Sequence, residues 1–88
     1  MIAKDFTIIN RLGIHARPAA LFAKMASHFK SAIKIQKDGL EVSGKSIMGI
    51  MMLAAAKGNK ITIFAEGVDE HEAVEALGEL IEKRFGED

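Results

Sequence analysis

An α+β domain is predicted by three features of this 88-residue chain. Apolar residues recur at two-residue steps in some stretches and at three- to four-residue steps in others, in the order β-α-β-β-α-β-α. Asp38-Gly39 separates two alternating runs, a strong two-residue hairpin signal. The alternating runs also keep polar residues on their second side, as in a sheet covered on one face, which favours antiparallel pairing. The expected architecture is a four-stranded antiparallel sheet with three helices packed on one face, in a single domain over residues 1–88.

The first strand is expected over Ile2 to Ile9, with Ile2, Phe6 and Ile8 on one side, and Asn10 to Gly13 is a loop. Leu21, Phe22, Met25 and Phe29 then recur at helical spacing, so a helix runs from about Ala16 to Ser27 or His28. Pro18 falls in its first turn, where a missing N–H costs nothing. Ala32 to Lys37 and Leu40 to Ser43 form the hairpin, with Ile33, Ile35, Leu40 and Val42 inward. A second helix is expected from a Ser46 cap to Lys57-Gly58, and a fourth strand over Lys60 to Ala65 with Ile61, Ile63 and Ala65 on one face. The last helix starts at Asp69, with Glu72 as its capping-box partner, and Gly86 ends it. Its stripe of Ala73, Val74, Leu77, Leu80 and Ile81 gives it a structural role.

Composition narrows the function. There is no cysteine, so disulfides and thiol chemistry are excluded, and no apolar run reaches membrane-spanning length. The alternating N-terminus does not resemble a signal peptide, so a cytoplasmic location is expected. Net charge is zero but polarised: residues 1–60 carry ten Lys and Arg against three Asp and Glu, and residues 61–88 carry two against nine. A basic patch for an acidic partner is one reading, and mutual neutralisation of two halves is the other. The chain lacks Trp, Tyr and any row of aromatics for base stacking, so nucleic acid is not an expected partner. His15, His28 and His71 lie far apart without ligand-spaced partners, so no metal or other cofactor is expected.

His15 stands out because it falls at or next to the cap of the first helix, with Arg17 one or two positions inside. Unpaired amides and the positive end of the helix dipole make such an end an anion site, and a phosphoryl group is the obvious anion. A neutral imidazole, with a free value near ~6.5, is available as the acceptor at neutral pH. Arg17 can contact the phosphoryl oxygens. Downstream, Arg17, Ala20, Lys24 and Ser27 form a non-core line suited to an acidic face, or an ordinary wet surface. The second helix carries an uncharged run from Ile47 to Ala56, more apolar than a small domain's surface helix requires. Either it is swallowed by the core or Ile47, Met48 and Met51 are partly exposed, as suits an adaptable docking patch.

Gly13-Ile14-His15-Ala16-Arg17-Pro18-Ala19 resembles the active-site motif of the histidine-containing phosphocarrier (HPr) family of the bacterial phosphotransferase system. Chain length, element order and Gly44-Lys45-Ser46-Ile47-Met48-Gly49 agree with it. The resemblance implies an open-faced β-sandwich and a carrier without turnover of its own. It implies that His15 receives a phosphoryl group on Nδ1 from enzyme I, itself charged by phosphoenolpyruvate, and passes it to enzyme IIA domains in sugar transport, with Arg17 assisting. The expected docking residues are Ala20, Lys24, Lys45, Ile47, Met48 and Met51, and the expected state is a monomer with no membrane insertion. Ser46 matches the family's regulatory serine, which implies a serine kinase or phosphorylase and a transcriptional regulator among the partners, although a capping serine needs no regulator. Leu12 and Asn10-Arg11-Leu12-Gly13 look more like the nitrogen-related branch. The alternative is therefore a regulatory, phosphorylation-dependent binding module of that branch.

Overall fold

In the computed structural model, which describes residues 1–88, the alternating segments pair into one sheet. Its strands are β1 (Ile2–Thr7), β2 (Ala32–Lys37), β3 (Leu40–Ser43) and β4 (Lys60–Glu66), in the spatial order β1-β4-β2-β3. Every pairing is antiparallel. Register follows from the side-chain period of two: Phe6 sits opposite Ile61, Ile33 opposite Ala65 and Ile35 opposite Ile63, so these six apolar residues share one face, while Ala3 and Phe64 lie on the other. Helices α1 (Ala16–Ala26), α2 (Ile47–Met52) and α3 (Glu70–Glu82) lie on that side, giving the expected β-α-β-β-α-β-α order and an open sheet. Phe22 of α1, Ile50 of α2, and Leu77 and Ile81 of α3 complete a core with Ile8, Ile35 and Ile63. No helix is long and apolar enough to cross a membrane.

The hairpin between β2 and β3 turns on Asp38 and Gly39, both with positive φ (50° and 84°). Two successive left-handed residues match the right-handed twist of the flanking strands, which is why this dipeptide is so informative.

Five expectations need correction. β1 stops at Thr7, because the Ile8 amide and carbonyl turn to Asn59 and Gly58 in the loop before β4. Leu40 is not inward: at the tip of the hairpin, opposite Lys37, it is exposed, and Val42 alone of that pair packs on the core. α2 ends at Met52 rather than at Lys57-Gly58. Ala54 adopts a left-handed conformation (φ 50°), and the Ala55 carbonyl leaves helical register to accept a bond from the Ile14 amide at 2.8 Å. Asp69 does precede α3, but it makes no capping box with Glu72. Its carboxylate instead accepts from the Lys30 and Ser31 amides and the Ser31 hydroxyl, tying the end of the α1 segment to the start of α3. The hydrogen bond from the Ser31 hydroxyl, aided by the Lys30 amide, holds the Asp69 carboxyl below its ordinary value. Finally, α3 ends at Glu82 rather than at Gly86: a separate short 3₁₀ turn at Arg84–Gly86 redirects the chain toward the N-terminus of α1.

Candidate functional site

His15 is the N-cap of α1, with extended backbone dihedrals (φ −84°, ψ −167°), and its side chain makes no capping bond. The Ala19 amide bonds to the His15 carbonyl, Pro18 has no N–H, and the amides of Ala16 and Arg17 have no partner within the chain. The helix thus opens on two unused donors beside an imidazole whose side chain is 39% exposed.

The loop that delivers His15 is held at both ends. Gly13 has φ 67°, and a Cβ there would lie 2.5 Å from the Ala55 carbonyl oxygen. No other residue could pass so close to the end of α2 in that conformation. Next to it, the Ile14 amide donates to Ala55. Asn10 is fully buried, and its Nδ2 donates to the Gly13 carbonyl at 2.7 Å. The early ending of α2 is therefore what seats the His15 loop.

The carboxylate of Glu87 completes the site from the other end of the chain. Its Oε1 lies 2.8 Å from His15 Nε2 and accepts from Asn10 Nδ2 at 3.0 Å. Its Oε2 accepts from Arg17 Nη1 at 2.9 Å, and the same nitrogen donates to the Phe85 carbonyl at 3.1 Å. The hydrogen bond to His15 is the main cause that holds the Glu87 carboxyl below its ordinary range, with the Asn10 amide and the Arg17 charge adding to it against partial burial. Neither Asn10 nor Glu87 was expected from the sequence. Glu87 is 72 residues from His15 and no local spacing could associate them. A lone polar residue following Ile8-Ile9 was the only available sign for Asn10.

Around this centre, Arg17 and Lys24 are exposed and Ala20 is half-buried on the outer face of α1. On α2, Ile47, Met48 and Met51 are 45%, 74% and 42% exposed, so the apolar helix is not swallowed by the core. Met52 and, in the His15 loop, Leu12 are also exposed, two members of the apolar surface that the sequence did not single out. Lys45 is exposed, but its ammonium is drawn back to the Phe29 carbonyl at 2.8 Å. Ser46 stands at the opening of α2, where its Oγ accepts from the Gly49 amide at 3.0 Å. The largest concavity, about 520 Å³ between β1 and α3, is lined by Ile2, Lys4 and Phe6 on one side and by α3 on the other, and includes none of these residues. The His15 site thus lies on an open surface rather than in a pocket.

A part-exposed histidine at a helix N-terminus with unpartnered amides, on a one-sided antiparallel sheet, is the arrangement of a class of small carriers that present one group to larger partners. A family model described as the PTS HPr component phosphorylation site matches residues 2–83. The phosphocarrier protein HPr of Cupriavidus necator is 49% identical over 87 residues, covering 99% of this chain and 98% of its own. The HPr-like protein Crh of Halalkalibacterium halodurans is 51% identical over 83 residues, 94% of this chain and 99% of its own. The crystal structure of HPr from Thermoanaerobacter tengcongensis superposes with a TM-score of 0.96 at 51% identity, covering 100% of this chain and 99% of that one. The chain belongs to the HPr family, phosphoryl carriers of the phosphotransferase system rather than catalysts.

Proposed function

We propose that residues 1–88 act as one carrier unit in which His15 accepts a phosphoryl group from enzyme I and passes it to enzyme IIA domains. The observation that carries this reading is the half-exposed His15 ring at the opening of α1, beside the unpartnered amides of Ala16 and Arg17. Those amides and the helix dipole favour an added phosphoryl group by about 0.3–1 kcal/mol, a stabilisation modest enough to allow onward transfer. Arg17 supports the same group through its guanidinium, one of whose arms is already directed at an anion, Glu87.

In this reading the apolar patch of Ile47, Met48 and Met51, with Ala20, Lys24 and Lys45 around it, receives the acidic faces of both partners. The carrier works as a cytoplasmic monomer. Ser46 is the regulatory position. It already caps α2, so a phosphate there is tolerated locally, while about −1.5 to −2 added charges beside the docking patch repel an acidic partner.

The test is incubation with phosphoenolpyruvate and enzyme I, followed by intact mass and acid treatment. A single phosphate that is lost in acid is expected, because phosphohistidine is acid-labile and phosphoserine is not. His15→Ala is expected to abolish it and Ser46→Ala to leave it in place. An acid-stable phosphate, or labile phosphate surviving His15→Ala, overturns the assignment.

A further inference from the structure

Every polar atom of the Glu87 side chain is engaged, and all of its partners belong to the His15 site. Oε1 lies between His15 Nε2 and Asn10 Nδ2, and Oε2 meets Arg17 Nη1. Asn10 is itself immobilised, since it is fully buried and bonded to the Gly13 carbonyl. The carboxylate is therefore held from three sides against one nitrogen of the ring. An ionised carboxylate can only accept hydrogen bonds, so the nitrogen facing it must carry the hydrogen. A neutral imidazole has one N–H. With that hydrogen on Nε2, the lone pair is on Nδ1.

We propose that Glu87 is the positioning residue that selects the nucleophilic nitrogen of His15, holding Nε2–H and leaving Nδ1 to attack phosphorus. This rests on His15 being the phosphoryl acceptor. In the forward step the Nδ1 lone pair forms the N–P bond. The bond between phosphorus and the leaving atom of the phosphorylated protein donor breaks, and its electron pair departs with the donor. The ring neither gains nor loses a proton: Nε2–H remains, and the ring becomes a cation facing the Glu87 carboxylate. In the onward step the N–P pair returns to Nδ1 and the ring leaves as a neutral imidazole. Without the Nε2 proton it would have to leave as an anion, so keeping that proton keeps the phosphoryl group transferable. Of the charged groups, Glu87 meets the ring directly and Arg17 meets Glu87; Arg11 and Asp88 stand in the preceding loop and the tail, joined by a backbone hydrogen bond, and α2 carries no charge.

Two measurements on the wild type, Glu87→Gln and Glu87→Ala test this. The first is the pair of ring ¹⁵N chemical shifts of His15 in the unphosphorylated proteins. In the wild type, Nε2 is expected to show a protonated-type shift and Nδ1 a lone-pair-type shift. That separation is expected to shrink in Glu87→Ala and to be partly retained in Glu87→Gln, which still offers an acceptor. The second is the pH profile of phosphoryl transfer from the charged carrier. An opposite charge at hydrogen-bond range favours the cationic phosphorylated ring, so the alkaline limb is expected to move toward acid in both variants. A role confined to folding moves neither readout. Identical ring shifts and profiles in all three proteins overturn the proposal. Faster transfer with an unmoved profile also overturns it and makes the tail an occupant to be displaced. If the wild type acquires no acid-labile phosphate, the carrier assignment of His15 is what fails, and the ring shifts still decide whether Glu87 holds Nε2.

Discussion

Two helix openings carry the two residues of interest here, and they are built in opposite ways. At α2, the Ser46 hydroxyl bonds the Gly49 amide and the cap is closed. At α1, His15 occupies the same N-cap position, yet its side chain turns to the tail and caps nothing, and Pro18 leaves no amide where Gly49 offers one; the first two amides are unpartnered at both openings. A serine can satisfy its helix because its oxygen is short enough to reach back over one turn. At α1 the matching position is Pro18, which has no N–H to offer, and the imidazole is turned to Glu87 instead. The contrast separates a helix end whose cap side chain is spent on the helix from one whose cap side chain is left to the tail. Under the proposed function these two positions would differ in what a phosphate does: at His15 it would meet unpartnered amides, whereas at Ser46 it would add charge beside the proposed docking surface.

The largest way to break this contrast, after removal of His15 itself, is to charge the closed end. Ser46→Asp, or enzymatic phosphorylation of Ser46, is expected to slow phosphoryl transfer to His15 more than tenfold while leaving the fold intact, since like charges at an interface cost several kcal/mol. Equal transfer rates for both forms, with unchanged circular dichroism, would refute it. Next comes the loop that keeps the α1 end open. Gly13→Ala combines a left-handed backbone with a Cβ 2.5 Å from the Ala55 oxygen, and is expected to cost about 2 kcal/mol in urea unfolding and to slow transfer as well. Loss of the closed cap alone is smaller: Ser46→Ala is expected to cost about 1 kcal/mol while still yielding labile phosphate on His15.

The mildest perturbation is acid. The Glu87 and Asp69 carboxyls are both held below their ordinary values of 4.5 and 3.8 by donors present only in the folded chain. A depressed folded value means that their stabilising effect is complete above the unfolded value and is lost as the pH falls through the folded one. Acid titration below about pH 4 is therefore expected to release the tail from His15 and Arg17 and the α1 end from α3. Amide chemical shifts of Gly86 and Ser31 are suitable reporters. Shifts of the Ser46–Gly49 cap should stay flat over the same range, because that bond involves no carboxyl.

Most of the scaffold was legible because it depends on short-range pattern. Ile33 and Ile35, or Ile61 and Ile63, announce their shared face through a period of two, and Asp38-Gly39 declares its turn by what only such residues tolerate. The errors fell where a distant partner outbid a local preference. α2 looked longer because Leu53 to Ala56 are good helix formers, but the Ile14 amide claims the Ala55 carbonyl. Asp69 looked like half of a capping box, but Lys30 and Ser31 offer it three donors.

The chain by itself determined the sheet, the helix that Pro18 opens, and the candidate acceptor at its cap, because each is written in residues within a turn or two of one another. Tertiary structure alone decided what faces the imidazole. Glu87 reaches it across 72 residues, only after the 3₁₀ turn bends the chain back and Asn10 is buried beneath it. A hydrogen bond between opposite ends of a sequence leaves no periodicity to read. It exists only once the core has brought those ends together.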